Sequence, residues 1–195
     1  MSDHYRTLAA PSELRQKIER SEFLGIAFPV SSEEAFFAEL ERVSRKYFDA
    51  THHCWAFRLF DAQRARSSDA GEPSGTAGKP ILAAIEGSAL WDVGVIVVRW
   101  YGGVKLGTGG LSRAYRETAA ATLSAAQLSD RYLYCRYEVI AAFDDLGVIY
   151  RLVDPPHVVL VGETFAEENV FAFDVRLSRA EAFEKMLRER RITLR

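Results

Sequence analysis

Cysteine is scarce in this chain: there are two in 195 residues, Cys54 and Cys135. Two widely separated thiols cannot build a disulfide framework, and they suit a reducing compartment. Long apolar runs are also missing. The strongest one, Val93 to Val98, is closed by Arg99, which excludes a membrane-spanning helix of ordinary length. The opening residues Met1-Ser2-Asp3-His4 lack the basic-then-apolar layout of an export signal, so the expectation is a cytoplasmic protein with no membrane partner. Neither sign of charge is in surplus: 25 basic and 27 acidic residues give a formal charge of −2. A general polyelectrolyte binder is thereby excluded, and any affinity for nucleic acid has to reside in a local patch. What is present, 48% hydrophobic and 27% charged residues, is a globular composition with enough material for one large domain or two small ones.

Periodicity supplies the elements. Residues 1–20 are polar, with helical potential. Glu22 to Val30 reads as a strand. Ser31 or Ser32 caps an amphipathic helix carrying Phe36, Phe37, Leu40 and Val43, which ends near Tyr47. His53 to Phe60 alternates as a strand with apolar residues on both faces. Residues 61–78 have no apolar period and read as a long loop. Pro80 starts a helix to about Glu86, Val93 to Tyr101 is a buried strand, Gly102 to Gly110 is a second loop, and Leu111 to Leu128 is a helix. From Arg131 a smaller set follows: a strand to Ala141, a helix from Asp144 to Val153 stopped by Pro155-Pro156, strands 157–162 and 169–177, a helix from Ser178 to Arg191 and a last edge strand at 192–194. That order, β-α-β-β-α-β, is the ferredoxin-like split βαβ pattern. The expected division is therefore 1–128 and 129–195. Residues 1–128 hold 15 basic and 15 acidic side chains, and the remainder 10 and 12, so neither half is basic overall.

Eight of the thirteen glycines fall in the two loops, at 71, 75 and 78 and at 102, 103, 107, 109 and 110. Glycine lets backbone N–H groups line a concavity. The second loop leaves a strand and opens a helix, whose first N–H groups and dipole attract anions. Arg99, Lys105, Arg113 and Arg116 occur there with no acid between them. An anion, either a nucleotide phosphate or an RNA backbone, is the expected ligand. The specific nucleotide motifs fail: around Gly78-Lys79 a Walker loop meets Pro73 and Pro80 where it needs glycine and a hydroxyl, and a G-x-G-x-x-G run from Gly107 reaches Ser112.

Chemistry is harder to read. Glu72 near Ser74 or Thr76 is one acid–base and nucleophile arrangement, set against self-capping of the loop by its own Asp and Ser side chains. His52-His53-Cys54 cannot all reach one metal, since neighbours on a strand face opposite sides, and no zinc spacing links them to His4, Cys135 or His157. No catalytic residue, metal or cofactor is assigned.

The run Gly71-Glu72-Pro73-Ser74-Gly75-Thr76-Ala77-Gly78-Lys79-Pro80, followed by Val97 to Tyr115 with Gly102-Gly103-Val104-Lys105-Leu106-Gly107-Thr108-Gly109-Gly110, resembles the IMPACT family in its bacterial YigZ-like branch. Arg20-Ser21-Glu22-Phe23 and Ala50 to Ala56 match that family's earlier blocks, so the resemblance covers about residues 15–128. Ala70 stands where the family usually has Asp, and Trp100-Tyr101 where it commonly has Tyr-Phe. The resemblance implies an α+β protein of two domains. The first is a left-handed βαβ domain like domain 2 of a small-subunit ribosomal protein, and the second a ferredoxin-like domain like the last domain of elongation factor G. It also implies a link to regulation of translation initiation, since eukaryotic relatives act by binding a protein partner of a stress kinase. A proline-dipeptidase label carried by some members finds no two-metal residue set here.

The expectation is a non-enzymatic cytosolic regulator that binds RNA, the ribosome or a translation factor. The anion-binding surface is expected from Arg99, Trp100, Tyr101, Gly102, Gly103, Lys105, Gly107, Thr108, Gly109, Gly110 and Arg113. Glu72, Ser74, Gly75, Thr76 and Lys79 are expected to line the same cleft. The alternatives are an enzyme acting on a phosphorylated small molecule in that cleft, and a protein–protein module using the C-terminal sheet. Both thiols are expected to be free. Thiol titration of the denatured, unreduced protein should count two, and a count of zero would show a bridge.

Overall fold

The computed structural model describes residues 3–61 and 63–195. Met1 and Ser2 of the expected polar N-terminal segment, and Ala62 of the expected long loop, lie outside the described residues. Two compact units divide the chain. One is Arg6–Asp130; the other joins residues 3–5 to Arg131–Arg195. The expected cut after Leu128 thus differs at the first residues, which belong with the C-terminal unit.

In the larger unit the strands β2 (Ser12–Ile18), β3 (Ser21–Pro29), β4 (His52–Leu59), β5 (Arg64–Ser68) and β6 (Val93–Trp100) form one sheet in the order β2-β3-β6-β4-β5, antiparallel at every step. Strands β3 and β4 both flank β6 and therefore run parallel to each other, with helix α1 (Glu33–Lys46) crossing between them. This is the expected βαβ element with a third strand inserted. Helices α2 (Gly78–Gly87) and α3 (Gly107–Ser124) cover the opposite face.

Strand periodicity sorts the core into two layers. On β6, Val93, Val95 and Val97 join the cluster under α2 and α3, while Ile96 and Val98 join Phe36 and Val43 of α1. Helix α1 begins as its residues dictate. Ser32 Oγ accepts from the N–H of Ala35 at 3.2 Å, Glu33 and Glu34 occupy the first turn, and Arg45 and Lys46 the last, each sign at the favourable end of the dipole. Helix α3 lies close on β3. A side chain at Gly25 would overlap the Thr122 hydroxyl, so this contact needs glycine.

Three strands depart from the expected pattern. Residues 1–20 hold β1 (His4–Leu8) and β2 rather than a helix, and part of the expected 61–78 loop is β5. Strands β2 and β5 are the two edges of the sheet, and an edge strand needs no run of apolar residues to pair. Arg64 and Arg66 on β5 both bind Glu33 at the start of α1. Helix α3 starts at Gly107, not Leu111, and so absorbs Gly107 to Gly110 into its first turn.

The C-terminal unit contains β8 (Tyr134–Ala141), α4 (Leu146–Tyr150), β9 (Val158–Phe165), β10 (Asn169–Arg176), α5 (Ala180–Glu189) and β11 (Thr193–Leu194), in the sheet order β11-β8-β10-β9. This is the ferredoxin-like arrangement. Phe171, Phe173, Val175, Val139, Phe183 and Leu187 form its core. The expected strand from Arg131 is broken: β7 (Leu128–Tyr132) pairs with β1, and β8 begins after Leu133.

Asp3 ties the N-terminus to this unit. Its carboxylate takes two bonds from the Arg176 guanidinium, at 2.6 and 3.0 Å, and two from the Ser178 hydroxyl and N–H, at 2.6 and 3.1 Å. The Arg176 and Ser178 side chains hold its carboxyl far below the usual carboxylate range. Asp3→Ala should therefore destabilise this unit by about 2 kcal/mol, since charge-assisted hydrogen bonds contribute ~1.5–3 kcal/mol each before compensation. That corresponds to roughly 10 °C in the melting of a domain this small. The folded carboxyl titrates below its unfolded value of about 3.9, so the contribution is whole above about pH 5 and fades as the pH falls further. Thermal melts at pH 7 and pH 3 should show a smaller gap between wild type and Asp3→Ala at pH 3.

Candidate functional site: a buried carboxylate beside the start of α3

The two glycine loops meet over the end of β6. Alternation along β6 carries Arg99 to the face that Val93, Val95 and Val97 occupy, under α2 and α3, and Trp100 to the other face. Register then places Arg99 between Phe23 on β3 and His52 on β4. The Arg99 side chain is 5% exposed. Its Nη1 donates to Glu72 Oε1 at 2.5 Å and its Nη2 to Ser21 Oγ at 3.1 Å. The guanidinium also stacks between the rings of Phe23 and Tyr101, 5.4 Å from each centroid. Its Nε–H is buried with no acceptor, which leaves a desolvation cost of about 1–3 kcal/mol unmet.

Glu72 is the centre of the arrangement. Besides Arg99, its Oε1 accepts from the Tyr115 hydroxyl at 2.8 Å. Burial first, and then the neighbouring Cys54 and Glu72, push the Tyr115 phenol far above its ordinary value, so it remains a donor. His52 Nδ1 lies 3.0 Å from the Ala70 carbonyl oxygen. Because a carbonyl only accepts, this nitrogen carries the proton, and Nε2 stands 3.9 Å from Glu72 Oε1. Cys54 donates to the Asp69 carbonyl at 2.9 Å. Burial pushes its thiol up to about 12, which makes it a packing residue and not a nucleophile. His53 caps α1: its Nε2 meets the Tyr47 carbonyl at 3.0 Å. Among the described residues, no group of three or more His, Cys, Asp or Glu side chains gathers around either one.

The first loop is held by Asp69. Its carboxylate accepts the N–H groups of Gly75, Ala77 and Gly78 at 2.8, 2.9 and 2.8 Å. Burial alone would raise this carboxyl. The Gly75, Gly78 and Ala77 donors, together with Lys79, outweigh burial and hold it low. The Thr76 hydroxyl is spent on the Pro73 carbonyl at 2.7 Å, and Ser74 is exposed. The proposed pairing of Glu72 with Ser74 or Thr76 is not formed.

The second loop is pinned at Gly102, where a side chain would overlap the Arg20 carbonyl. Beyond it opens a cleft of about 360 Å³ lined by Glu72, Pro73, Arg99, Tyr101, Lys105, Leu106, Gly107, Thr108 and Leu111. Helix α3 begins there with Leu106 in the cap position, no side-chain cap bond and no acid in its first turn. Its leading N–H groups therefore have no partner within the helix.

The structure separates several residues that the sequence groups together. Of the first loop's expected lining, Glu72 reaches the cleft, but Ser74, Gly75, Thr76 and Lys79 do not. Trp100 lies across the sheet, edge-on to Tyr47 and 5.0 Å beneath the Arg15 guanidinium, and donates to Asp49. Arg99 is not a solvated cation but half of a buried pair. Arg113 and Gly110 line a neighbouring hollow with Glu19 and Glu117. Sequence order leaves the basic run free of acids, but space does not. Gly103 and Gly109 stand outside both linings. Asp69, His52, Tyr115 and Ser21 are the residues missed. Register with Arg99 and parity with Cys54 mark His52, and Tyr115 is the one aromatic side chain on the buried stripe of an alanine-rich helix.

This geometry can be compared with known proteins. The family model for the Impact N-terminal domain matches residues 19–123, which contain the whole cleft. The chain belongs to the IMPACT family. YigZ of Escherichia coli is 44% identical over 110 residues, which is 55% of this chain and 54% of YigZ. An IMPACT family member from Haemophilus influenzae is 30% identical over 178 residues, 90% of this chain and 86% of that one. A crystal structure described as that of a hypothetical protein aligns over 100% of this chain and 97% of its own, with TM-score 0.71 and 28% identity. The IMPACT match thus extends through both glycine loops, and the likeness to the solved structure through both units.

Removing the IMPACT domain's central carboxylate should be costly. Glu72→Ala leaves Arg99 buried without its partner, an arrangement that costs ~3–5 kcal/mol. Tyr115→Phe removes one hydrogen bond to a charged group, about 1.5–3 kcal/mol. Exposed Lys79→Ala should stay within about 0.5 kcal/mol. Urea unfolding curves of the three variants should fall in that order, and a stable Glu72→Ala would show that the pair does not organise the fold.

Proposed function

We propose that this IMPACT protein binds RNA, or an RNA-containing part of the translation machinery, in the cytoplasm, through phosphate held at the start of α3. The observation that carries this reading is the uncapped, acid-free first turn of α3 facing a cleft that also holds Lys105. Free N–H groups, the helix dipole and an exposed lysine all favour an anion at one place. Tyr101 is 45% exposed at the same cleft and offers a face on which a base stacks. Membership of the IMPACT family, whose resemblance implies a link to regulation of translation initiation, supports a partner in the translation machinery. With a net charge of −2 for the whole chain, attraction is local, and affinity is modest and strongly dependent on salt.

The test is a salt titration of binding to single-stranded RNA and to ribosomes. Lys105→Ala with Arg113→Ala should weaken binding about equally across RNA sequences and flatten the log–log salt slope by about one to two, as expected for one or two lost phosphate contacts. Lys105→Ala alone should account for most of the loss, because Lys105 lines the cleft as well as the hollow it shares with Glu19, Glu117 and Arg113, whereas Arg113 is absent from the cleft lining. An unchanged slope in the double variant would remove this loop from the binding surface.

A further inference from the structure

Lys105 serves two hollows. In the cleft Arg99 is already paired with Glu72, so Lys105 is the side-chain charge that the cleft can offer an anion. Lys105 also lines the neighbouring hollow of about 260 Å³, whose other charged residues are Glu19, Arg113 and Glu117. There the charges cancel, two against two. Neither carboxylate is spent on an ion pair among the described residues.

The two acids come from different elements. Glu117 lies four residues beyond Arg113 on α3, the spacing at which helical side chains are neighbours. Glu19 opens the two-residue turn between β2 and β3, across which Ile18 pairs with Ser21. Its φ is +54°. A left-handed first position in so short a turn suits glycine, and a side chain there strains the backbone. The turn alone therefore gives no reason for a glutamate, and its place in the lining beside Lys105 and Arg113 does. Two carboxylates next to the cations repel any polyanion that approaches them. Such a composition holds phosphate less tightly than the same surface without the acids.

We propose that Glu19 and Glu117 determine the specificity of the anion site. They cancel Lys105 and Arg113 over the hollow, so that a polyanion lying across it gains no net attraction. A strand is retained only when it also brings a phosphate into the cleft, to Lys105 and the start of α3. The inference rests on the reading of that cleft as the RNA site, and it adds the residues that turn other polyanions away.

Salt elution of the full chain from immobilised heparin, and titration with a short oligouridine across a range of salt, test this. Glu19→Gln and Glu117→Gln keep the size of each side chain and remove its charge. Each should strengthen heparin binding about threefold, the scale of one nearby charge in water. The double variant should gain about tenfold on heparin and less on oligouridine, so that the preference for RNA falls. The gain should disappear when Lys105 and Arg113 are both replaced by alanine. Glu19→Gly should raise the melting temperature and strengthen heparin binding together, since it relieves the backbone and removes the charge.

A double glutamine variant that binds heparin no better than the wild type would overturn the proposal, as would an equal gain on both polyanions. A lower melting temperature for Glu19→Gly would make Glu19 a structural residue and remove it from this role. Oligouridine binding that needs Lys105 but is indifferent to both glutamine changes would overturn the role of the acids and leave the RNA-binding reading intact. Gain on heparin through Lys105 and Arg113, in a protein that binds no RNA at any salt, would overturn that reading and leave the acids as a barrier to polyanions.

Discussion

The ion pair between Glu72 and Arg99 is the constraint on which the rest of the N-terminal unit depends. A guanidinium at the end of a fully buried strand cannot be left alone, because a lone buried charge costs several kcal/mol. The first glycine loop has to bring a carboxylate to it, and Asp69 folds that loop by collecting three N–H groups from Gly75, Ala77 and Gly78. The second loop has to turn at Gly102 without a side chain, so that α3 can start close by and place Tyr115 on the same carboxylate. Two loops far apart in the chain are thus held by one carboxylate, and the cleft is the space left between them.

This organisation separates buried charge from exposed charge. Arg99, Glu72 and Asp69 hold the loops, whereas Lys105, Lys79 and Arg113 remain exposed. The charged cluster visible in the sequence is therefore two populations, one paired in the interior and one at the surface.

Much of the fold was legible because its strongest elements obey simple periods. Strands β3, β4 and β6, helix α1 and the C-terminal β-α-β-β-α-β order all follow from alternation, a Ser cap and a proline stop. The edges were not legible. Strands β2 and β5 are polar because one side of each has no neighbour, so their residues alternate weakly and read as helix or loop. The start of α3 was missed because Gly107 to Gly110 look like loop residues, while the helix that follows supplies the reason for their conformation. At the site, the glycine loops were visible as the centre of interest, but the roles within them were not. Parity along Val93 to Trp100 already sends Arg99 and Trp100 to opposite faces. Ion pairing across 27 positions of sequence, and the approach of Glu19 and Glu117 to Arg113, are properties of space that no local pattern carries.

The placement of residues 3–5 with Arg131–Arg195 makes the unit Arg6–Asp130 an insertion within the C-terminal one, joined to it by two crossings of the chain. Asp3 meets Arg176 and Ser178 across 173 and 175 positions of the chain. A growing chain therefore completes the sequence of the inserted unit before either partner of Asp3 exists, and the bonds to this carboxylate close a loop that encloses the whole of Arg6–Asp130.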